Sequence, residues 1–274
     1  MVKKEVDEGV AAAPPEAKAG QARRPILLII AGRQSRGKSV LASVVWELAQ
    51  RRYPLKLIEA STNNHRLAER LGDAVLVPEG SSDDRRLWIE DAIAACAAAA
   101  DTPEQHDLLI DMHGGDDLLY RWGTETGAVQ LMERQGLDLV LIHMVGPDPA
   151  DVDYIADLEA GGVFAPAKTA VIMNGGLVTG NRRPEAAFAP VARRLMEVIK
   201  RKILILTMQP LPCMDGILEQ NIPFREAGHA TDKLTFFDTG RAASWVNHAL
   251  PKLFAGKPGD PASLNRWLDI EVHP

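Results

Sequence analysis

Pro25-Ile26-Leu27-Leu28-Ile29-Ile30-Ala31-Gly32-Arg33-Gln34-Ser35-Arg36-Gly37-Lys38-Ser39 opens as an unbroken apolar run and closes in glycine and charge. The run from Ile26 to Ile30, bounded by Pro25 and Gly32, has the length of a strand. Its lack of polar alternation predicts cover on both faces. From Ser39 to Arg52 the apolar residues recur at helical spacing, so a helix follows the loop at once.

The same alternation continues along the chain. Strands are expected at Leu55–Ile58, Ala74–Val77, Leu108–Asp111, Leu139–Met144, Thr169–Met173 and Ile203–Met208. Helical spacing falls at Leu67–Leu71, Arg85–Ala100, Ala150–Leu158, Phe188–Arg201 and Arg241–Phe254, before a Pro/Gly-rich tail. Upstream, Met1 to Arg24 is rich in Ala, Pro, Glu and Lys with few large apolar side chains, so it reads as a flexible tail. Residues 25–274 are then one domain, a length that suits a single large α/β unit. Apolar strands separated by helices predict a three-layer α/β sandwich with a mainly parallel sheet. In such sheets ligands sit beyond the carboxyl ends of the strands, where each candidate residue below falls.

Gly32 and Gly37-Lys38-Ser39 match the pattern G-x-x-x-x-G-K-[ST] in its required setting, after a strand and before a helix. Glycines let the backbone turn its amides inward toward phosphate oxygens, and the helix amino terminus favours their charge. The phosphate-contacting set is Gly32, Arg33, Gln34, Ser35, Arg36, Gly37, Lys38, Ser39 and Val40. Lys38 is expected to reach the β and γ phosphates and the Ser39 hydroxyl to ligate Mg2+. Asp111 ends an apolar strand and supplies the second magnesium-side oxygen, with a turn or helix-capping aspartate as the competing reading. His113, before Gly114-Gly115, reads either as a sensor of the γ phosphate or as a turn histidine.

With these residues in place, Pro25 to Pro212 resembles the ParA/MinD group of ATPases, including ParA-like proteins encoded with plasmid partition and conjugation functions. The resemblance implies a P-loop NTPase fold, ATP and Mg2+ as ligands, and an ATP-dependent homodimer acting with a partner protein. Leu57-Ile58-Glu59-Ala60-Ser61 looks like the family's second-strand segment, Leu109-Ile110-Asp111 like its Walker B strand, and Val171-Ile172-Met173-Asn174 like the strand whose terminal asparagine meets adenine. Met208-Gln209-Pro210-Leu211-Pro212 resembles the segment that closes over the base, which adds Asn174 and Pro210 to the binding set. Asn174 also reads as a plain turn residue before Gly175-Gly176.

Two departures from that pattern matter. Arg33 stands where the family has a signature lysine that reaches a partner's phosphates, and Gln34 and Ser35 replace glycines. Arg33 reads either as a cross-dimer donor or, with Arg36, as a residue serving its own subunit. The family's hydrolytic aspartate falls at Ser61, a poor base, so activation of water passes to Glu59, Asn63 or His65 and turnover is expected to be slow. The catalytic set is accordingly Lys38, Glu59, Asp111 and Arg33.

A net charge of −6 argues against a chain coated in nucleic acid, yet Arg182-Arg183, Arg193-Arg194 and Lys200-Arg201-Lys202 leave DNA a candidate partner. Two cysteines without ligand spacing, no bilayer-length apolar run and no secretory leader point to a cytoplasmic protein that does not enter membranes. Trp88, Trp122, Trp245 and Trp267 read as core or interface residues. Two other functions stay open. One is a phosphate-loop kinase or ligase using Asp116, Asp117 and Arg121 near its acceptor, and the other is a scaffold that binds nucleotide without hydrolysing it.

Overall fold

A computed structural model of the protein describes residues 23–49, 54–61, 65–114, 117–180, 182–255 and 262–270. Residues 1–22 of the expected tail, the end of the first helix beyond residue 49, Asn63, Gly115, Asp116 and the Pro/Gly-rich stretch 256–261 lie outside the described residues.

Strand β1 (Ile26–Ala31) leads through the phosphate loop to α1 (Lys38–Ala49). There follow β2 (Leu55–Glu59), α2 (Arg66–Leu71), β3 (Val75–Leu76), α3 (Ser82–Ala98) and β4 (Asp107–Asp111). Next come α4 (Leu118–Thr126), α5 (Ala128–Arg134), β5 (Asp138–Val145), α6 (Asp153–Glu159), β6 (Lys168–Asn174), α7 (Pro184–Val198) and β7 (Leu204–Met208). The chain continues through α8 (Met214–Glu219), α9 (Phe236–Ser244), α10 (Leu250–Ala255) and α11 (Leu264–Leu268).

The strands form one sheet in the order β3-β2-β4-β1-β5-β6-β7, every pair parallel. The parallel α/β expectation therefore holds. β1 lies at the centre, and its residues divide between the two layers of core. Ile26, Leu28 and Ile30 pack with α1 and the carboxyl-terminal helices. Leu27, Ile29 and Ala31 pack with the α3, α4 and α5 side. Burial on both faces explains why this strand reads as a continuous apolar run. In register, Glu59 lies opposite Asp111, Asp111 opposite Ile30, and Ala31 opposite His143. The tips of β2, β4 and β1 thus end close to one level, around the start of the phosphate loop, and β5 runs two residues further, to Val145.

Some elements differ from the expectation for local reasons. α3 begins at Ser82, ahead of Arg85, because Ser81 and Asp84 form a reciprocal capping box. The carboxyl-terminal helix begins at Phe236 under a Thr235 cap and passes through a π turn at Trp245–Ala249, where one helix over Arg241–Phe254 was expected. α4 and α5 were not expected. Gly127, in the left-handed conformation (φ +59°), ends the first and opens the second, so neither runs long enough to show a clear period. Trp122 and Trp245 are core residues, and Trp88 and Trp267 pack against the core from its edge.

Candidate functional site: a phosphate loop between two buried aspartates

The loop's shape depends on what its first and last glycines permit. Gly32 has φ +145°, and a Cβ there would meet the Met144 carbonyl oxygen of β5 at 2.5 Å. Gly37 has φ +89°, and a Cβ would strike the Asn174 side-chain nitrogen. Neither position tolerates an ordinary side chain. Between them Ser35 adopts φ +59°, a left-handed backbone uncommon outside glycine. Across the loop, Lys38 Nζ donates to the Arg33 carbonyl at 3.1 Å. Burial lowers the Lys38 pKa; Asp111 works against that shift and Arg36 with it.

On the β4 side, Ser39 Oγ donates to Asp111 Oδ2 at 2.6 Å. Asp111 is buried, and its Oδ1 has no hydrogen-bond partner. Burial pushes this carboxyl up to about 7, against the pull of Ser39 and Lys38. A buried carboxylate oxygen without a donor, beside a hydroxyl, is a hard-oxygen pair of the kind Mg2+ takes. The sequence-expected metal pair, Ser39 and Asp111, fits that ion. The loop after β4 returns to the phosphate loop: a Cβ on Gly114 would meet Gln34 Cα at 2.5 Å. His113 beside it is half-buried.

Glu59 ends β2 and is buried. Its oxygens accept from the Leu67 and Ala68 amides at 3.3 and 3.0 Å, so the carboxylate caps the start of α2. Burial raises its pKa, and those amides oppose the rise. Of the other residues weighed for activating water, Ser61 follows the β2 tip half-buried, and His65 sits at the amino end of α2 with a buried Nδ1 that has no hydrogen-bond partner.

On the opposite flank the structure brings in a residue the sequence reading passed over. Asp151, fully buried in the short 3-10 turn Pro149–Val152 after β5, meets both loop arginines. Arg33 Nη1 donates to its Oδ1 at 3.1 Å, and Arg36 Nε lies 2.5 Å from its Oδ2. Arg36 Nε has no hydrogen-bond partner, so that close approach is an ionic contact, not a directed hydrogen bond. Arg33 also lies 3.9 Å from Asp148. Within one subunit, then, Arg33 and Arg36 turn to a carboxylate of their own chain. The signal that would have found Asp151 is an acidic residue just past a buried strand tip beside Gly146; the surrounding prolines make it read as turn punctuation.

Asn174 ends β6 and is spent in both directions. Its Nδ2 donates to the Arg36 carbonyl at 3.0 Å and its Oδ1 accepts from Gly176 N at 3.0 Å. The turn reading of this residue is realised, with a brace on the phosphate loop added. Pro210 is exposed just past β7 and covers Gly175, where a Cβ would meet the proline Cδ at 3.1 Å. Val40 lies half-buried in the first turn of α1.

The remaining candidates scatter. Arg121 pairs with Asp83 at 3.0 Å and Glu125 at 3.4 Å on the surface of α4, and Asp117 is exposed. The basic runs are divided: Arg201 is bound to Glu159 at 2.6 Å, and Arg194 pairs with Asp153 and Glu197. Among the described residues no helix is long and apolar enough to cross a membrane.

A parallel sheet whose central strand feeds a glycine-bounded loop, with Ser39 and Asp111 in contact at the strand tips, can be compared with solved structures. Apo McdA from Cyanothece superposes with a TM-score of 0.51 at 14% identity, over 80% of this chain and 99% of that one. The fold is that of the P-loop NTPases. An ATP complex of a McdA variant from Cyanothece (TM-score 0.45, 16% identity, 81% and 97% covered) and MinD from Aquifex aeolicus (0.44, 16%, 82% and 99%) are also similar. The sequence itself matches no protein-family model and no curated protein.

Proposed function

We propose that this chain is a ParA/MinD-like ATPase that binds ATP with Mg2+ and hydrolyses it slowly as a nucleotide-dependent dimer switch. The observation that carries the reading is the Ser39–Asp111 contact at the mouth of the phosphate loop, with Asp111 Oδ1 buried and open to a cation. Loop amides from Arg33 to Ser39 would cradle the phosphates, and Lys38 would exchange its bond to the Arg33 carbonyl for phosphate oxygens. Mg2+, held by Ser39 and Asp111, would offset charge on the β and γ phosphates. Asn174 and Pro210 would border the base, with Asn174 turning from Arg36 to do so.

Slow hydrolysis follows from the side chains near the β2 tip. Ser61 is a weak base, and Glu59 already accepts two helix amides. Arg33, which is 46% exposed at its side chain, is the proposed reach toward a second subunit's phosphates. The cellular role proposed is plasmid or cargo positioning, or DNA transfer, in the cytoplasm with a partner protein. DNA contact through the Arg182–Lys202 surface belongs to the same proposal.

Size measurement by light scattering with ADP, ATP and a non-hydrolysable ATP analogue tests the switch. ATP-dependent dimers support it, whereas monomers with acceptor-dependent turnover would favour a kinase or ligase. Binding with no change of size and no phosphate release would favour the scaffold, a reading that the engagement of Glu59 by α2 also favours. Fast phosphate release by the isolated protein would contradict the assignment of slow turnover.

A further inference from the structure

Asp151 has no solvent exposure, and a carboxylate at that depth is costly unless donors and cations surround it. Its partners are few and specific. Oδ2 accepts from the Gly146 amide at 2.7 Å and lies against Arg36 Nε, while Oδ1 accepts from Arg33. Gly146 makes the approach feasible: a Cβ there would come within 2.9 Å of Asp151 Oδ2 and 3.2 Å of Arg36 Cδ. Arg36 is fixed at its other end as well, since its carbonyl accepts from Asn174. One loop residue is thus gripped by its side chain from the β5 flank and by its backbone from the β6 tip.

The grip matters because of what the loop lacks. Its middle, Arg33-Gln34-Ser35-Arg36, contains no glycine, and Ser35 holds a left-handed backbone that its own sequence does not favour. Contacts from outside must keep the amides of such a loop converging. The same segment brings two guanidinium groups onto one carboxylate, with Arg36 also acting on Lys38, and without an anion between the two arginines their mutual repulsion would spread the loop. Asp151 is the buried anion that touches both arginines.

We propose that Asp151 is a positioning residue for the nucleotide phosphates: through Arg36 it holds the phosphate loop in its accepting shape, and it keeps Arg33 at the loop's rim. This inference rests on the nucleotide-binding reading above. The competing role is purely local, with Asp151 doing no more than closing the turn after β5 through the Gly146 amide.

A double-mutant cycle read by calorimetric titration of the full chain with Mg-ATP and Mg-ADP separates the two. Asp151→Asn and Arg36→Gln are each expected to weaken binding about tenfold, the effect of losing one charged contact. The double variant is expected to be no weaker than the worse single variant by more than about twofold, because both changes break the same link. Losses that multiply to about a hundredfold, or single variants that bind like wild type, would overturn the positioning role. If Asp151→Asn does not fold, Arg36→Gln decides. Unchanged affinity refutes the proposal, and a tenfold loss at an unchanged melting temperature supports it. Wild-type protein that binds neither nucleotide would refute the nucleotide reading and this role together, whereas wild-type binding beside unaffected variants refutes this role alone.

Discussion

Asp111, at the tip of β4, and Asp151, in the turn after β5, flank the phosphate loop, and both are buried. They differ in their partners. Asp111 has one oxygen on Ser39 and the other on nothing, and its carboxyl is pushed up to about 7. Asp151 has an amide and two guanidinium groups around it. Burial alone therefore does not tell a ligand-binding carboxylate from a scaffold carboxylate; the unfilled acceptor does. On the proposed function Asp111 would weaken the unliganded fold in exchange for a cation site, and Asp151 would strengthen it.

The largest effect expected near this pair is at Lys38, the cation close to Asp111 and Arg36. Lys38→Ala should weaken Mg-ATP binding by a hundredfold or more, on the order of 3 kcal/mol, in calorimetric titration. Retained affinity would break the assignment of the site. Next in size is Asp151→Asn, which leaves two arginines facing a neutral amide and should cost the unliganded fold about 3 kcal/mol in urea denaturation. A loss below about 0.5 kcal/mol would erase the contrast between the two aspartates.

Asp111→Asn should move stability the other way, by about 1 kcal/mol at pH 8, while abolishing the dependence of nucleotide affinity on Mg2+. The sign follows from the raised pKa. Between about pH 4 and 7 the folded state keeps a proton on Asp111 that the unfolded state has lost, so wild-type stability falls as pH rises through that window. The advantage of Asp111→Asn should accordingly shrink toward pH 5, and an advantage that grew on acidification would contradict the unfilled-acceptor account.

The smallest effect concerns His143, on β5 near the Asp151 flank, with Nδ1 on the Tyr154 hydroxyl at 2.7 Å. Burial, helped by Arg201, lowers its pKa from 6.5 to about 3. The unfolded chain then binds a proton that the folded chain refuses, so stability present above pH 6.5 is lost as pH falls toward 3. His143→Gln should flatten the dependence of melting temperature on pH between 4 and 6.5, and an unaltered slope would remove His143 from that account.

Much of this architecture is legible in the sequence. β1 and the tips at Glu59, Asp111 and Asn174 announce themselves because strands buried on both faces are written as apolar runs ending in a polar residue. The Ser39–Asp111 meeting follows from motif and topology together. What stayed hidden depends on contacts distant in sequence. Nothing in Pro147-Asp148-Pro149-Ala150-Asp151 tells a reader that the second aspartate reaches back to Arg33 and Arg36. Nor does Asn174 show that its amide braces the Arg36 carbonyl, or Glu59 that it caps α2. α4 and α5 escaped because Gly127 cuts an otherwise helical stretch into two short pieces.

Ser35, finally, places the loop uphill of a neighbouring sequence. Its left-handed backbone costs a non-glycine residue roughly 1 kcal/mol, which glycine would not incur. Replacement of this exposed serine by glycine therefore runs downhill in folding energy, toward the glycine-rich spelling of a phosphate loop. A serine that persists across descendants of this chain would have to be held there by something its hydroxyl does.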